Sequence, residues 1–250
     1  VTLLEGLGVL VAGLVAGTVN TVVGAGTLVT FPVLLAVGYP PVIANVSNTV
    51  GLVFGSLSGA LGYRRELDGQ RSRLLRLGCA SLLGGLSGGI LLLTLPPGAF
   101  EAIVPALILL SCVLVLVQPW LARRVARPHH TRAHGGPLLF AGVYAAGIYG
   151  GYFGAAQGVL LIGLLGLLLD EDLQRVNAAK NVLALLVNFV SAVLFVVVAD
   201  VDWRAAALIA VGSTVGGQLG ALVGRRLPPV ALRAFVVTVG VAAVVRLLAV

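Results

Sequence analysis

The sequence predicts an all-α polytopic membrane protein made of two inverted-topology repeats. Three observations carry this. The chain has 250 residues, 59% hydrophobic and 10% charged, with a mean hydropathy of +1.09. A soluble domain carries about 25% charge, so too few polar residues are present to clothe a water-facing surface. Apolar runs of about 20 residues recur along nearly the whole length, the length needed to cross a bilayer. An ordered series of motifs from the first half also returns in the second.

Taken in order, the apolar segments fall at 3–23, 27–37, 42–62, 74–94, 100–119, 138–156, 158–169, 177–199, 205–224 and 230–249. That makes about eight to ten hydrophobic segments, depending on how the short ones are counted. The segments 27–37 and 158–169 are too short for a core of about 30 Å at about 1.5 Å per residue. They read as broken or re-entrant pieces, one in each half. The 34 glycines suit membrane helices in close contact, because small residues let backbones approach.

The loops set the orientation. Tyr63–Arg76 carries Arg64, Arg65, Arg71, Arg73 and Arg76; Trp120–Pro137 carries Arg123, Arg124, Arg127 and Arg132; Gly224–Arg233 carries Arg225, Arg226 and Arg233. The positive-inside bias puts these in the cytoplasm. Leu95–Glu101 has no basic residue, and Ala199–Arg204 sets Asp200 and Asp202 against one arginine, so both belong outside. The expected location is the inner (cytoplasmic) membrane, multi-pass, with both termini outside.

The repeat is read from matched positions. Gly84-Gly85, Gly88 and Leu95-Pro96-Pro97 match Gly216-Gly217, Gly220 and Leu227-Pro228-Pro229 at a spacing of 132. Gly17 and Gly24-Ala25 match Gly147 and Gly154-Ala155 at 130, and Asn48 and Ser58 match Asn181 and Ser191 at 133. The first Leu-Pro-Pro is assigned outside and the second inside, which is the inverted arrangement of many secondary transporters. The expected organisation is a first repeat over 1–119, a cytoplasmic linker over 120–137 and a second repeat over 138–250.

Composition also excludes classes. The net charge of +7 lies in short arginine-rich loops, as orientation signals do, so nucleic acid is not expected as a partner. Cys79 and Cys112 lie in separate apolar runs and read as buried small apolar residues. His129, His130 and His134 sit in a solvated loop without carboxylate or cysteine, so no metal site is expected. No Walker sequence, Ser/His/Asp set or HExxH motif occurs, so neither an ATP-driven pump nor an enzyme is expected, and no cofactor.

Two stretches hold the candidate site. Gly24-Ala25-Gly26-Thr27 precedes one short segment and Gly154-Ala155-Ala156-Gln157-Gly158 precedes the other. A helix starting there offers free N–H groups and a partial positive charge, and glycine lets a ligand reach the backbone. Two such starts near mid-membrane would hold an anion. Asn45, Ser47, Asn48 and Thr49 form a polar cluster opening the next helix, and Asn177, Lys180 and Asn181 form its counterpart. Lys180 is the only lysine. An ammonium inside a membrane needs a partner or a function. Here it would attract and neutralise an anion; the competing reading is snorkelling to the surface beside Asp170, Glu171 and Asp172. Asn20, Thr21, Gln157, Asn188 and Gln218 read singly as makers of interhelical hydrogen bonds, with Asn20, Thr21 and Gln157 able to add bonds to the site. The candidate substrate-binding set is Gly24, Gly26, Thr27, Asn48, Gly154, Gln157, Gly158, Asn177, Lys180 and Asn181.

Over nearly its full length the chain resembles the TauE/SafE family of sulfite and organosulfonate permeases, the group that includes YfcA-like proteins. The resemblance rests on GxxxGxxxxxxGAGTLVTFPVLLAVGYPPVIANVSNT, on NAAKN, and most specifically on VDWRAAALIAVGSTVGGQLGALVGRRLPP. It implies a permease or exporter of a small sulfur-containing oxyanion, driven by an ion gradient, with proton or sodium as coupling ion. The residues by themselves point to an inverted-repeat transporter; a passive anion channel and a non-transporting membrane scaffold stay open as alternatives.

Overall fold

The computed structural model describes residues 2–125, 136–223 and 229–248. Ten α-helices account for the regular structure there, apart from one 3-10 turn over Arg64–Leu67, and no strand occurs among the described residues. They are α1 (Leu3–Val22), α2 (Thr27–Val37), α3 (Pro41–Gly62), α4 (Arg71–Thr94), α5 (Pro97–Val125), α6 (Gly136–Tyr152), α7 (Gln157–Leu168), α8 (Leu173–Val198), α9 (Trp203–Val223) and α10 (Pro229–Leu248). Six of them are long and apolar enough to cross a membrane. Large apolar side chains such as Leu4, Leu75, Val197 and Leu222 lie on the outer surface, as expected where the solvent is lipid.

The starts of α3 and α8, of α4 and α9, and of α5 and α10 are each 132 residues apart, and those of α2 and α7 are 130 apart. The same order of elements thus occurs twice. α5 runs on to Val125 and α6 starts at Gly136, so the expected linker over 120–137 is helical at both ends. Residues 126–135, with His129, His130 and His134, lie outside the described residues, as do Arg225, Arg226, Leu227 and Pro228. Cys112 is buried, but Cys79 is exposed on α4, against the expectation that both are buried: the glycine-rich face of α4 turns inward and carries its opposite face out.

Each short helix doubles back on the helix before it. A Cβ on Gly26 would strike the Ala16 carbonyl and Asn20, so the start of α2 lies against the last turns of α1. Likewise Gly150 of α6 meets the Gln157 side chain and Gly142 meets Leu164, an antiparallel α6–α7 hairpin. The two hairpins enter from opposite ends of the bundle. A cleft of about 460 Å³ brings Glu5, Gly38, Tyr39, Asp202 and Trp203 together, which places the start of α1, the end of α2 and the start of α9 at one end. α3 leaves that end and reaches the other, where Arg73 at the start of α4 pairs with Glu171 in the α7–α8 connection at 2.8 Å. Glu171 also accepts from Arg175, and Gln70 donates to the Arg175 carbonyl at 3.1 Å. Partial burial pushes the Glu171 carboxyl up, but the hydrogen bonds and charges of Arg175 and Arg73 outweigh it and hold the group below its ordinary value.

α4 and α9 are exchanged between the halves. α9 lies against α1 and α3 of the first half, and α4 against α6 and α8 of the second. Glycines make both seams. A Cβ on Gly84 would meet the Tyr144 carbonyl and one on Gly88 the Ile148 carbonyl; on the other seam Gly216 faces the Leu14 carbonyl and Gly220 the Thr18 carbonyl. Dispersion between backbones at this distance replaces the hydrophobic drive that lipid does not supply.

The seams make a packing prediction. Gly88→Val forces a side chain onto the Ile148 carbonyl and should cost about 1–3 kcal/mol, seen as earlier thermal unfolding in detergent. Gly8→Ala, which meets nothing within 4 Å, should leave unfolding unchanged or slightly later.

Candidate functional site

The two hairpin tips meet. The turn after α1 passes through Gly24, whose φ of +86° is open to glycine, and the turn after α6 through Gly154 with a φ of +77°. The closures are the same: Val23 and Gly24 N–H donate to the Val19 carbonyl at 2.7 and 3.0 Å, and Phe153 and Gly154 N–H to the Tyr149 carbonyl at 3.0 Å each. Beyond the tips, Gly158 N–H donates to the Gly24 carbonyl at 3.1 Å, and a Cβ on Gly158 would lie 2.5 Å from Gly24 Cα. Only glycine fits both sides of this crossing.

Every helix broken inside a bilayer leaves polar groups that lipid cannot satisfy. The carbonyl end of α1 is capped from several helices. Lys180 Nζ donates to the Asn20 and Thr21 carbonyls at 2.9 and 3.0 Å, Asn177 to the Thr21 carbonyl at 3.2 Å, and Gln118 of α5 to the Val23 carbonyl at 3.4 Å. In the second hairpin Asn45 donates to the Tyr152 carbonyl at 3.0 Å, while Ser111 of α5 and the Tyr149 hydroxyl donate to the Ala155 carbonyl at 3.0 and 2.6 Å. Phe31 and Phe153 stack edge to face at 5.2 Å and close the apolar side of the crossing.

Lys180 is therefore placed differently from either sequence expectation. α8 starts at Leu173, so Lys180 lies about two turns inside rather than at the opening of the helix. It is 1% exposed and does not snorkel to Asp170, Glu171 and Asp172. It forms no ion pair among the described residues; the negative end of α1 balances it. The helix register pairs Lys180 with Asn48, not Asn48 with Asn181 as the motif spacing suggested. Asn48, with a shorter side chain, stays beside its own short helix: it donates to Thr27 Oγ1 at 3.3 Å and accepts from Thr30.

The N–H groups of Gly24, Gly154, Gln157 and Gly158 are spent on backbone carbonyls. The free ones lie in the same two motifs: Gly26 and Thr27 of the candidate set, and the alanines beside the glycines. Among the described residues Ala25, Gly26, Thr27, Ala155 and Ala156 donate their buried N–H groups to no protein acceptor. Buried amide nitrogens of Gln157 and Asn181 are also without a partner. Such donors require an anion or water. The interhelical roles of Asn20, Asn188 and Gln218 hold: the first two donate to Ser56 at 3.3 and 3.0 Å, and Gln218 donates to the Ser58 carbonyl at 3.1 Å. The α5 contributions, Ser111 and Gln118, were missed; a hydroxyl and an amide deep in an apolar run were the signal.

Opposed half-depth hairpins meeting inside a bundle of spanning helices define a polytopic membrane transporter. Comparison with known proteins agrees. The chain belongs to the family described as sulfite exporter TauE/SafE, whose model matches residues 9–247. It is 27% identical to a probable membrane transporter protein of Haemophilus influenzae over 234 residues, 90% of each chain. It is 26% identical to the probable membrane transporter protein YfcA of Escherichia coli over 216 residues, 86% of this chain and 79% of the relative. No solved structure gives a significant match.

The capping geometry predicts that Lys180→Met, which keeps the length and removes the ammonium, strips donors from buried carbonyls and costs about 1–3 kcal/mol. Thermal unfolding of the purified protein measures it. A surface-snorkelling lysine would give no loss.

Proposed function

We propose that the chain is a secondary transporter that moves a small sulfur-containing oxyanion, such as sulfite or an organosulfonate, across the cytoplasmic membrane by alternating access. The observation that carries this is the set of buried N–H groups without protein acceptors at Ala25–Thr27 and Ala155–Ala156, flanking the Gly24–Gly158 crossing. An oxyanion with several oxygens can accept from both turns at once, with the amides of Gln157 and Asn181 as further donors. Gly24, Gly26, Gly154 and Gly158 allow the close approach. Lys180 supplies positive charge beside the site, and one of its three N–H groups remains after its two bonds to α1. Asn177 and Asn48 hold the two sides of the first turn, the end of α1 and the start of α2. The name of the family supports a sulfur oxyanion as cargo.

In this reading residues 1–119 and 138–250 are inverted repeats and both termini face outward. The matched helix starts, the opposed hairpins and the arginine-rich loops support it. The exchange of α4 and α9 changes what moves. A whole sequence half cannot rock as a unit without tearing the glycine seams. The moving bodies are α1–α3 with α9 and α6–α8 with α4, sliding where α3 meets α8. Ser56 and Asn188, 132 residues apart, sit at that meeting.

Reconstitution tests the proposal. Proteoliposomes should take up sulfite with saturation and show counterflow, and Lys180→Ala should lower uptake at least about tenfold while the protein still inserts. Unsaturable flux with high unitary conductance would make it a channel, and absence of any anion flux or binding would leave a scaffold.

A further inference from the structure

The two helix ends at the hairpin tips are built alike but capped unalike. Val19, Asn20 and Thr21 of α1 correspond to Tyr149, Gly150 and Gly151 of α6 at the 130-residue spacing of the tips. Val19 and Tyr149 carbonyls each take the two closing N–H groups. The next two carbonyls of α1, Asn20 and Thr21, bind the Lys180 ammonium. The next two of α6, Gly150 and Gly151, accept no hydrogen bond among the described residues, although both residues are buried. The position corresponding to Lys180 is Asn48, whose amide is turned to Thr27 and Thr30. Among the described residues no side-chain cation therefore serves the end of α6.

A side chain lies against that end with the same requirement. Asn45 donates to the Tyr152 carbonyl at 3.0 Å, and its Oδ1 is buried, 1% exposed, and accepts nothing. The Gly150 and Gly151 carbonyls at the negative end of the helix and the Asn45 amide oxygen receive no hydrogen bond among the described residues, although the Gln157 side chain stands against Gly150, and such oxygens call for a positive charge. We propose that the end of α6 binds a monovalent alkali cation, sodium in the first instance, through the Gly150 and Gly151 carbonyls and Asn45 Oδ1. It would occupy the place that the Lys180 ammonium holds at the end of α1. The ligands are neutral oxygens, which suits one charge better than two; a divalent ion would want carboxylates. Broken-helix carbonyl ends are where secondary transporters hold their coupling ions. The role as coupling ion rests on the anion-transport reading; the binding itself does not. One half of the molecule would thus carry a built-in cation and the other an exchangeable one, and only the second can be driven by a gradient.

The test uses the purified full-length protein in detergent with no anion substrate added. Radiolabelled sodium should bind saturably at about one ion per chain, against choline as the inert counterpart. Asn45→Leu should raise the half-saturating concentration at least about tenfold. Asn48→Lys, which returns an ammonium to the corresponding position, should abolish sodium binding in protein that elutes as folded; if that variant is not recovered, wild type against Asn45→Leu decides. Potassium competing at similar concentration in wild type, with the same loss in Asn45→Leu, would keep the site and widen its selectivity. No saturable binding of sodium or potassium, or binding indifferent to Asn45→Leu, overturns the proposal, and water then satisfies these oxygens. Sulfite uptake is measured separately. Uptake without cation binding rejects the cation site alone, and cation binding without uptake rejects the anion reading alone.

Discussion

The structure depends on one constraint: a backbone that stops being helical inside a bilayer must find partners for its N–H and C=O groups within the protein. The chain breaks twice at depth, after Val22 and after Tyr152. Each break exposes carbonyls on one side and N–H groups on the other, which lipid cannot solvate. The unusual polar residues of this apolar sequence are the answer to the carbonyls. Lys180 and Asn177 serve the end of α1 and Asn45 the end of α6, each from the opposite half. Ser111 and Gln118 brace both turns from α5.

Crossed caps tie the halves together more firmly than a simple two-body interface would. The exchange of α4 and α9 does the same for the packing, because each glycine seam joins a helix of one half to the hairpin of the other. In the proposed cycle a conformational change leaves the seams intact and acts through the polar contacts between the two bodies. Those are the α3–α8 crossing at Ser56 and Asn188 and the crossed caps at the hairpin tips, whereas the tie from Arg73 to Glu171 lies within one body. The unpartnered N–H groups lie between these contacts, where the proposed motion would change access.

Much of this was legible in the sequence. Ten apolar segments correspond to ten helices with ends shifted by a few residues, and the two short ones are the hairpin returns. Gly24 and Gly154 were legible because positive φ and repeat position coincide. Four things were not. Helix starts are blurred where polar residues precede the apolar run, so α8 gained its first turn only in the structure and Lys180 moved inward. Register could not be read from isolated asparagines, because Lys180 and Asn181 are adjacent and their spacings from Asn48, 132 and 133, differ by one residue. The exchange of α4 and α9 is a long-range choice of partner that glycine patterns permit but do not specify. Which N–H groups stay free depends on where Gly158 meets Gly24, a contact between residues more than half the chain apart.

The central claim is that the two hairpins enter the membrane from opposite faces and meet at their tips. Single cysteines at Gly38 and at Asp170, in a Cys79→Ser, Cys112→Ala background, report it most directly. In intact cells and in inverted vesicles a membrane-impermeant maleimide should reach the cysteine at Gly38 from the outer face only and that at Asp170 from the inner face only. Labelling of both from the same face would contradict the account.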